Sequence, residues 1–176
     1  MADLYLTAKL KTSESLENCT FLRGFFWGAQ DVCGWSVLPS TVLKIGKLMR
    51  DPRDLFKGDA QSVYAAALDA ICSSISVPED YPILGAFVAM AKRLRATHAG
   101  ATQRSRTSMQ LFVEDHQYKL RSADAPRSVV LKFMLDRYNI DEQTVLECEA
   151  LLDRVVSLPV LICHPAFERM REVDYC

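Results

Sequence analysis

The sequence predicts an α+β protein: one helix-rich domain over residues 1–176, with a small antiparallel sheet built from an N-terminal strand and a central hairpin. Three observations lead there. Apolar residues recur at i, i+3, i+4 along most of the chain, most clearly at Val63, Tyr64, Ala67, Leu68 and Ile71. Alternation with a period of two is confined to two places, Leu4–Lys11 and the region of Met109–Leu120. The length, 176 residues, is that of one domain, which buries roughly two thirds of its unfolded surface without a metal or disulfide staple.

Taken in order, Leu4, Leu6, Ala8 and Leu10 alternate with polar neighbours and predict a half-buried strand. Phe21, Leu22, Phe25, Phe26, Ala29, Val32 and Cys33 fit one face of a helix, with Thr20 or Asn18 as its cap and Gly34 as its stop. Gly24 and Gly28 weaken that helix and suit close approach of another backbone. After Pro39 and Ser40, the residues Val42, Leu43, Ile45, Leu48 and Met49 predict a second helix, closed by Asp51-Pro52. Asp59 caps a third, with Ile75 at its far end, and Leu84, Phe87, Val88, Ala91 and Leu94 make a fourth. Thr97–Ser108 reads as a mobile polar loop, and Met109–Leu120 as two strands joined at Asp115-His116, or as a short helix. Pro126 opens a helix that is apolar on nearly every side and therefore expected at the centre of the core; Asn139 stops it. Asp141 caps the next, Pro159 ends it, Val160–Cys163 predicts a short buried strand, and His164-Pro165 opens a final helix.

Composition removes several classes. An apolar content of 49% with 24% charged residues excludes a disordered or collagen-like chain. Uncharged runs reach only about a dozen residues, short of the roughly 18 a membrane helix needs. The first residues lack a secretory pattern, and the lipidation motifs are missing. A cytoplasmic protein is expected, neither secreted nor transmembrane. Six cysteines without a Cys-x-x-Cys pair then read as reduced core thiols, and the Asn18-Cys19-Thr20 sequon as a helix cap.

Catalytic signatures are weak. Cys163 and His164 are adjacent, and neighbours on a strand face opposite ways, so they form no thiolate pair. His164 and Glu168 have the spacing of two ligands on one helical turn, but Cys148 and Cys176 complete no zinc pattern. The seven glycines build no phosphate-binding loop, and the acid pairs Glu79/Asp80 and Glu114/Asp115 fall in turns. No enzyme, cofactor, metal or small-molecule substrate is expected.

Charge segregation is the stronger signal. Between Tyr81 and Val113 stand Lys92, Arg93, Arg95, Arg104 and Arg106 and no acid, while Asp136–Cys176 carries nine acids against four bases. The basic window suits an anionic surface, or the acidic third of a second copy joined head to tail. Phospholipid and nucleic-acid phosphate would both serve, but no aromatic residue lies between Ala89 and Gln110, which favours lipid headgroups or an acidic protein over a stacked single strand. Direct nucleic-acid contact stays open. Tyr81-Pro82-Ile83-Leu84 has the form of a short tyrosine-proline-x-leucine partner motif, carried by Tyr81, Pro82 and Leu84.

The opening strand Leu4–Lys11, the aromatic helix Phe21–Trp35 and the proline-led helix of Val42-Leu43-Lys44-Ile45 resemble, in order and pattern, the start of the globular domain of rhabdovirus matrix proteins. The likeness covers roughly the first 50 residues and suits the compact matrix proteins of plant rhabdoviruses. It implies a virion protein that self-associates, condenses the nucleocapsid and lies under a membrane. The expectation is thus a non-enzymatic, matrix-like assembly protein that bridges copies of itself, or nucleocapsid, to an anionic membrane surface. Its alternative is a helical adaptor that binds one protein partner through an apolar groove.

Overall fold

A computed structural model describes residues 20–21, 24–28, 34–45, 51–73, 75, 77–103 and 125–175. It is helix-rich α+β. Strands β1 (Thr20–Phe21), β2 (Gly24–Trp27) and β3 (Gly34–Val37) form an antiparallel sheet in that order, with Gly24 opposite Val37 and Trp27 opposite Gly34. A 3-10 turn (Pro39–Thr41) leads to α1 (Val42–Ile45), and a two-residue strand β4 (Phe56–Lys57) precedes α2 (Ala60–Cys72). Next come α3 (Leu84–Thr97) and β5 (Thr102–Gln103), which pairs antiparallel with β4. The C-terminal part holds α4 (Arg127–Tyr138), α5 (Glu142–Asp153) and α6 (Pro165–Tyr175).

The helix punctuation is chemical. Asp59 and Asp141 accept the backbone N–H of Ser62 (3.0 Å) and Thr144 (2.8 Å), each relieving an orphan donor of a first turn. Asn139 stops α4 in the left-handed conformation (φ 54°), which asparagine tolerates. His164 caps α6 through its ring: Ala166 N–H donates to Nδ1 at 3.2 Å.

Helix α3 is the core. Leu84, Met90, Ala91 and Leu94 are all but inaccessible, and each large side chain there contributes about 1.5–3 kcal/mol by leaving water. It packs on α2 and α5. The sheet joins this core through Phe25, whose ring stacks on Phe133 of α4 (centroids 3.9 Å, planes 15° apart).

Several expectations change. The 21–33 segment is not one helix: Phe25, Phe26 and Trp27 lie on a strand, and Trp35 on the next. Aromatic residues suit a pleated surface, and two glycines make room for the tryptophans. A Cβ at Gly24 would collide with the Trp35 indole, and one at Gly34 with the Trp27 indole. A side chain, not another backbone, makes the close approach. Helix α4 is peripheral: it buries Val130, Met134 and Tyr138 and leaves Leu135 half exposed. Val160–Cys163 is neither strand nor buried, with Leu161 86% exposed. The N-terminal strand 4–11, the hairpin 108–121 and residues 46–50 of the second helix lie outside the described residues, so the sheets seen are those of 20–37 and of β4–β5.

Two polar clusters tie the helices together. Asp174 on α6 accepts from Arg137 Nε (3.0 Å) and Nη2 (2.6 Å) and from the hydroxyls of Tyr138 (2.7 Å) and Ser40; its side chain is 3% exposed. One carboxylate thereby fixes α4, α6 and the 3-10 turn. Glu149 on α5 accepts from both Arg127 nitrogens (3.0 Å each) and from the backbone N–H of Ile83 (3.1 Å), which opens α3 with φ 62°.

Asp174→Ala strands a half-buried guanidinium and two hydroxyls, and is expected to lower unfolding free energy by about 3 kcal/mol, read as a fall in urea midpoint at unchanged slope. The caps predict a pH dependence. Hydrogen bonds from Ser62 and Thr144, side chain first and backbone second, hold Asp59 and Asp141 below the usual carboxylate value of 3.8. The ionised caps therefore stabilise the fold above that value, and the contribution fades as pH falls below it. An acid titration by circular dichroism should show helix loss in the wild type that is reduced in an Asp59→Asn/Asp141→Asn variant, whose caps do not titrate.

Candidate functional site

Three of the five bases of the window are described, and two of them bond to their own chain. Lys92 is exposed on α3, but Arg93 Nη2 donates to the carbonyls of Leu152 (3.2 Å) and Val155 (3.0 Å) and its Nη1 lies 3.5 Å from Asp153. It closes the C-terminal end of α5, whose last carbonyls have no helical partner. Arg95 donates to the carbonyls of His98 (3.2 Å) and Ala101 (3.3 Å) and shapes the turn into β5. Arg104 and Arg106 lie outside the described residues. Of the three placed bases, two staple carbonyls of their own chain, Arg93 while remaining 43% exposed, a use that charge counting along a chain does not reveal.

The tyrosine-proline-x-leucine tetrapeptide is core. Tyr81, Ile83 and Leu84 are 0–1% exposed, and the Tyr81 hydroxyl donates to the carbonyl of Val37. Burial pushes that phenol's pKa far up. As folded, the segment offers no side chain to a partner; it buttresses β3 against α3.

Cys148, on α5, and His164 meet: Sγ lies 3.3 Å from Nδ1, and Nε2 is 3.6 Å from Glu147 Oε2. The order cysteine–histidine–carboxylate is that of a nucleophile with its base, and sequence adjacency had pointed to Cys163 instead. The chemistry does not follow the order. Cys148 is fully buried and burial pushes its thiol up to about 12, so it holds its hydrogen. Nδ1 is taken by the Ala166 N–H. The cluster works as a helix cap backed by a thiol. Among the described residues no group of three or more His, Cys, Asp or Glu side chains is arranged to hold a metal ion.

What stays open on the surface is apolar. A groove of about 380 Å3 runs between α1, α2 and α3 on one side and residues 158–162 with the start of α6 on the other. Leu43, Leu68, Phe87 and Met90 form its floor, and Leu161, Ile162 and Phe167 its outer wall. The Glu168–Arg171 ion pair stands at its rim. Two of its lining side chains are exposed, Leu161 at 86% and Val160 at 47%. Gln61 holds the 158–162 strap in place by both ends of its amide, donating to Leu158 O (2.6 Å) and accepting from Leu158 N–H (2.8 Å). A second cavity, about 520 Å3, lies between β2 and α4 and is lined by Phe26, Trp27, Phe133, Lys132 and Asp136. Sequence reasoning missed the strap because an uncharged run of Val, Leu and Ile reads as interior; its only outward signal was the position between Pro159 and Pro165.

No helix among the described residues is long and apolar enough to cross a membrane. Compared with known proteins, the chain matches no family model, no curated protein and no solved structure.

Accessibility and thiol chemistry together predict a labelling order. In the native protein at neutral pH, iodoacetamide should modify Cys163, whereas Cys72 and Cys148, both buried with thiols raised to about 12, react only after unfolding. Peptide mapping by mass spectrometry reads the order; native labelling of Cys148 would restore it as a nucleophile.

Proposed function

We propose that this chain is a non-enzymatic, self-associating assembly protein whose contact surface is the apolar groove and the strap beside it. The observation that supports this reading is the apolar face made by the groove and the exposed Val160 and Leu161 that line it. A soluble monomer seldom shows so large a patch without a use for it. The occupant we assign is a second copy. The groove and the projecting strap lie side by side on one face, so two copies related by a twofold axis offer each other the same pair of features. No charged residue occurs from Val155 to Cys163, and like-charge repulsion does not oppose the contact.

Relative to the sequence-based expectation, the carrier of assembly moves from charge to apolar surface. Arg93 and Arg95 are bonded to main-chain carbonyls of their own chain, while Lys92 and Arg93 both remain exposed among the described residues. The adaptor alternative shares the groove and differs in its occupant.

Sedimentation equilibrium decides between them. The wild-type mass should rise with concentration through the micromolar range, and Leu161→Asp should weaken association on the order of a hundredfold, because each copy loses a buried leucine worth about 1.5–3 kcal/mol. A fixed monomeric mass would overturn self-association; a monomer that binds an amphipathic helical peptide would be the adaptor.

A further inference from the structure

Helix α6 begins on a group that titrates. Its cap, His164, accepts the Ala166 N–H at ring Nδ1 (3.2 Å), where aspartate, asparagine or serine ordinarily serves, and its main-chain carbonyl accepts from Phe167 N–H (3.0 Å). A ring nitrogen accepts only through its lone pair, so Nδ1 bears no hydrogen and the neutral ring carries its proton on Nε2. The neighbours agree. Cys148 Sγ stands 3.3 Å from Nδ1; burial pushes its thiol up to about 12, so it keeps a hydrogen to share with the same lone pair. Nε2 lies 3.6 Å from Glu147 Oε2, and the other oxygen of that carboxylate accepts from Gln143 Nε2 at 3.3 Å.

The wider surroundings are partnered. From α5 the ring meets Glu147 and Cys148. On α6 itself Glu168, one turn along, pairs with Arg171, and on the strap the preceding Cys163 is an exposed thiol. Helix α4 also packs on α6, and its Arg137 bonds Asp174 near the far end of that helix; the 3-10 turn Pro39–Thr41 brings no charge. The imidazole is 16% exposed, enough for a proton to reach it from water.

We propose that His164 is a proton-operated clasp: below about pH 6.5 the ring gains a proton at Nδ1, drops the Ala166 cap and takes Glu147 as its partner instead. With hydrogen on both nitrogens the ring has no acceptor left, its new N–H confronts the Ala166 N–H, and its charge sits at the positive end of the α6 dipole. On the other side the cation's attraction to the Glu147 carboxylate grows. The proton thus exchanges a cap for an ion pair. What it frees is the first turn of α6, which bears Phe167 and Glu168 on the outer wall of the apolar groove, while Asp174 keeps the rest of the helix anchored. The clasp sets how firmly that wall is held and does not depend on what the groove receives.

Nuclear magnetic resonance of the whole chain, titrated from about pH 8 to about pH 5, tests the clasp. The ring 15N shifts should report the Nε2-protonated tautomer at the alkaline end. As the ring takes its second proton, the Ala166 amide should lose at least about tenfold of its protection from exchange, with the same midpoint. The Thr144 amide, capped by the Asp141 carboxylate, should keep its protection over that range. In His164→Asn, whose side chain caps without titrating, Ala166 should stay protected throughout. A neutral ring with its proton on Nδ1, a ring that gains no second proton above about pH 5, or an Ala166 amide indifferent to the ring's charge would each overturn the proposal. Should the variant disturb the fold, the wild-type titration still decides.

Discussion

Everything in the C-terminal two thirds hangs on where α3 begins, and that point is set against the backbone's own preference. Ile83 has φ 62°, a conformation that a β-branched residue avoids at a cost of order 1–3 kcal/mol. Glu149 holds it there by accepting the Ile83 N–H, while Arg127 grips the same carboxylate with two nitrogens and also donates to Asp80 O at 2.8 Å. A kink so pinned turns the chain sharply from the Tyr81 anchor into α3 and lets Tyr81, Ile83 and Leu84 all point inward. Gly85 follows because a Cβ there would press on the carbonyls of Glu79 and Pro78. The three helices α3, α4 and α5 are thus registered at one polar point before their apolar faces meet.

Among the described residues, many charges serve the chain's own carbonyls, amides and opposite charges. Arg93, Arg95 and Arg127 each donate to main-chain oxygens far along the chain or across a turn, and Asp174 gathers four hydrogen bonds from three residues. The segregation of basic and acidic stretches in the sequence therefore reports, in good part, which helices cap which.

What could be read from the sequence follows from range. Asp59, Asp141, Asn139 and Pro165 act within one helical turn, and the helices they bound appear where local pattern placed them. Two readings failed for nonlocal reasons. Phe21–Cys33 has a helical spacing of aromatics, but Trp35 and Trp27 need the flat space over Gly24 and Gly34, which only paired strands supply. Val160–Cys163 has an interior composition, yet α1, α2 and α3 already close the core beneath it. The groove was invisible for the same reason, since its floor and wall come from segments about 100 residues apart, joined by the amide of Gln61. Of the basic site, residue types were right for binding anions, and the bonds that occupy two of them became apparent only in three dimensions.

The reciprocal seating of two indoles over two glycines has an evolutionary consequence. A side chain can appear at position 24 only if position 35 has already become small, and the same dependence links 34 with 27. Each pair must therefore be exchanged in concert, through intermediates that lose either a packed ring or the space for it. Divergence at these four positions would proceed in coupled jumps, so that a distant relative would be recognised there by swapped partners, bulky where this chain is bare and bare where it is bulky.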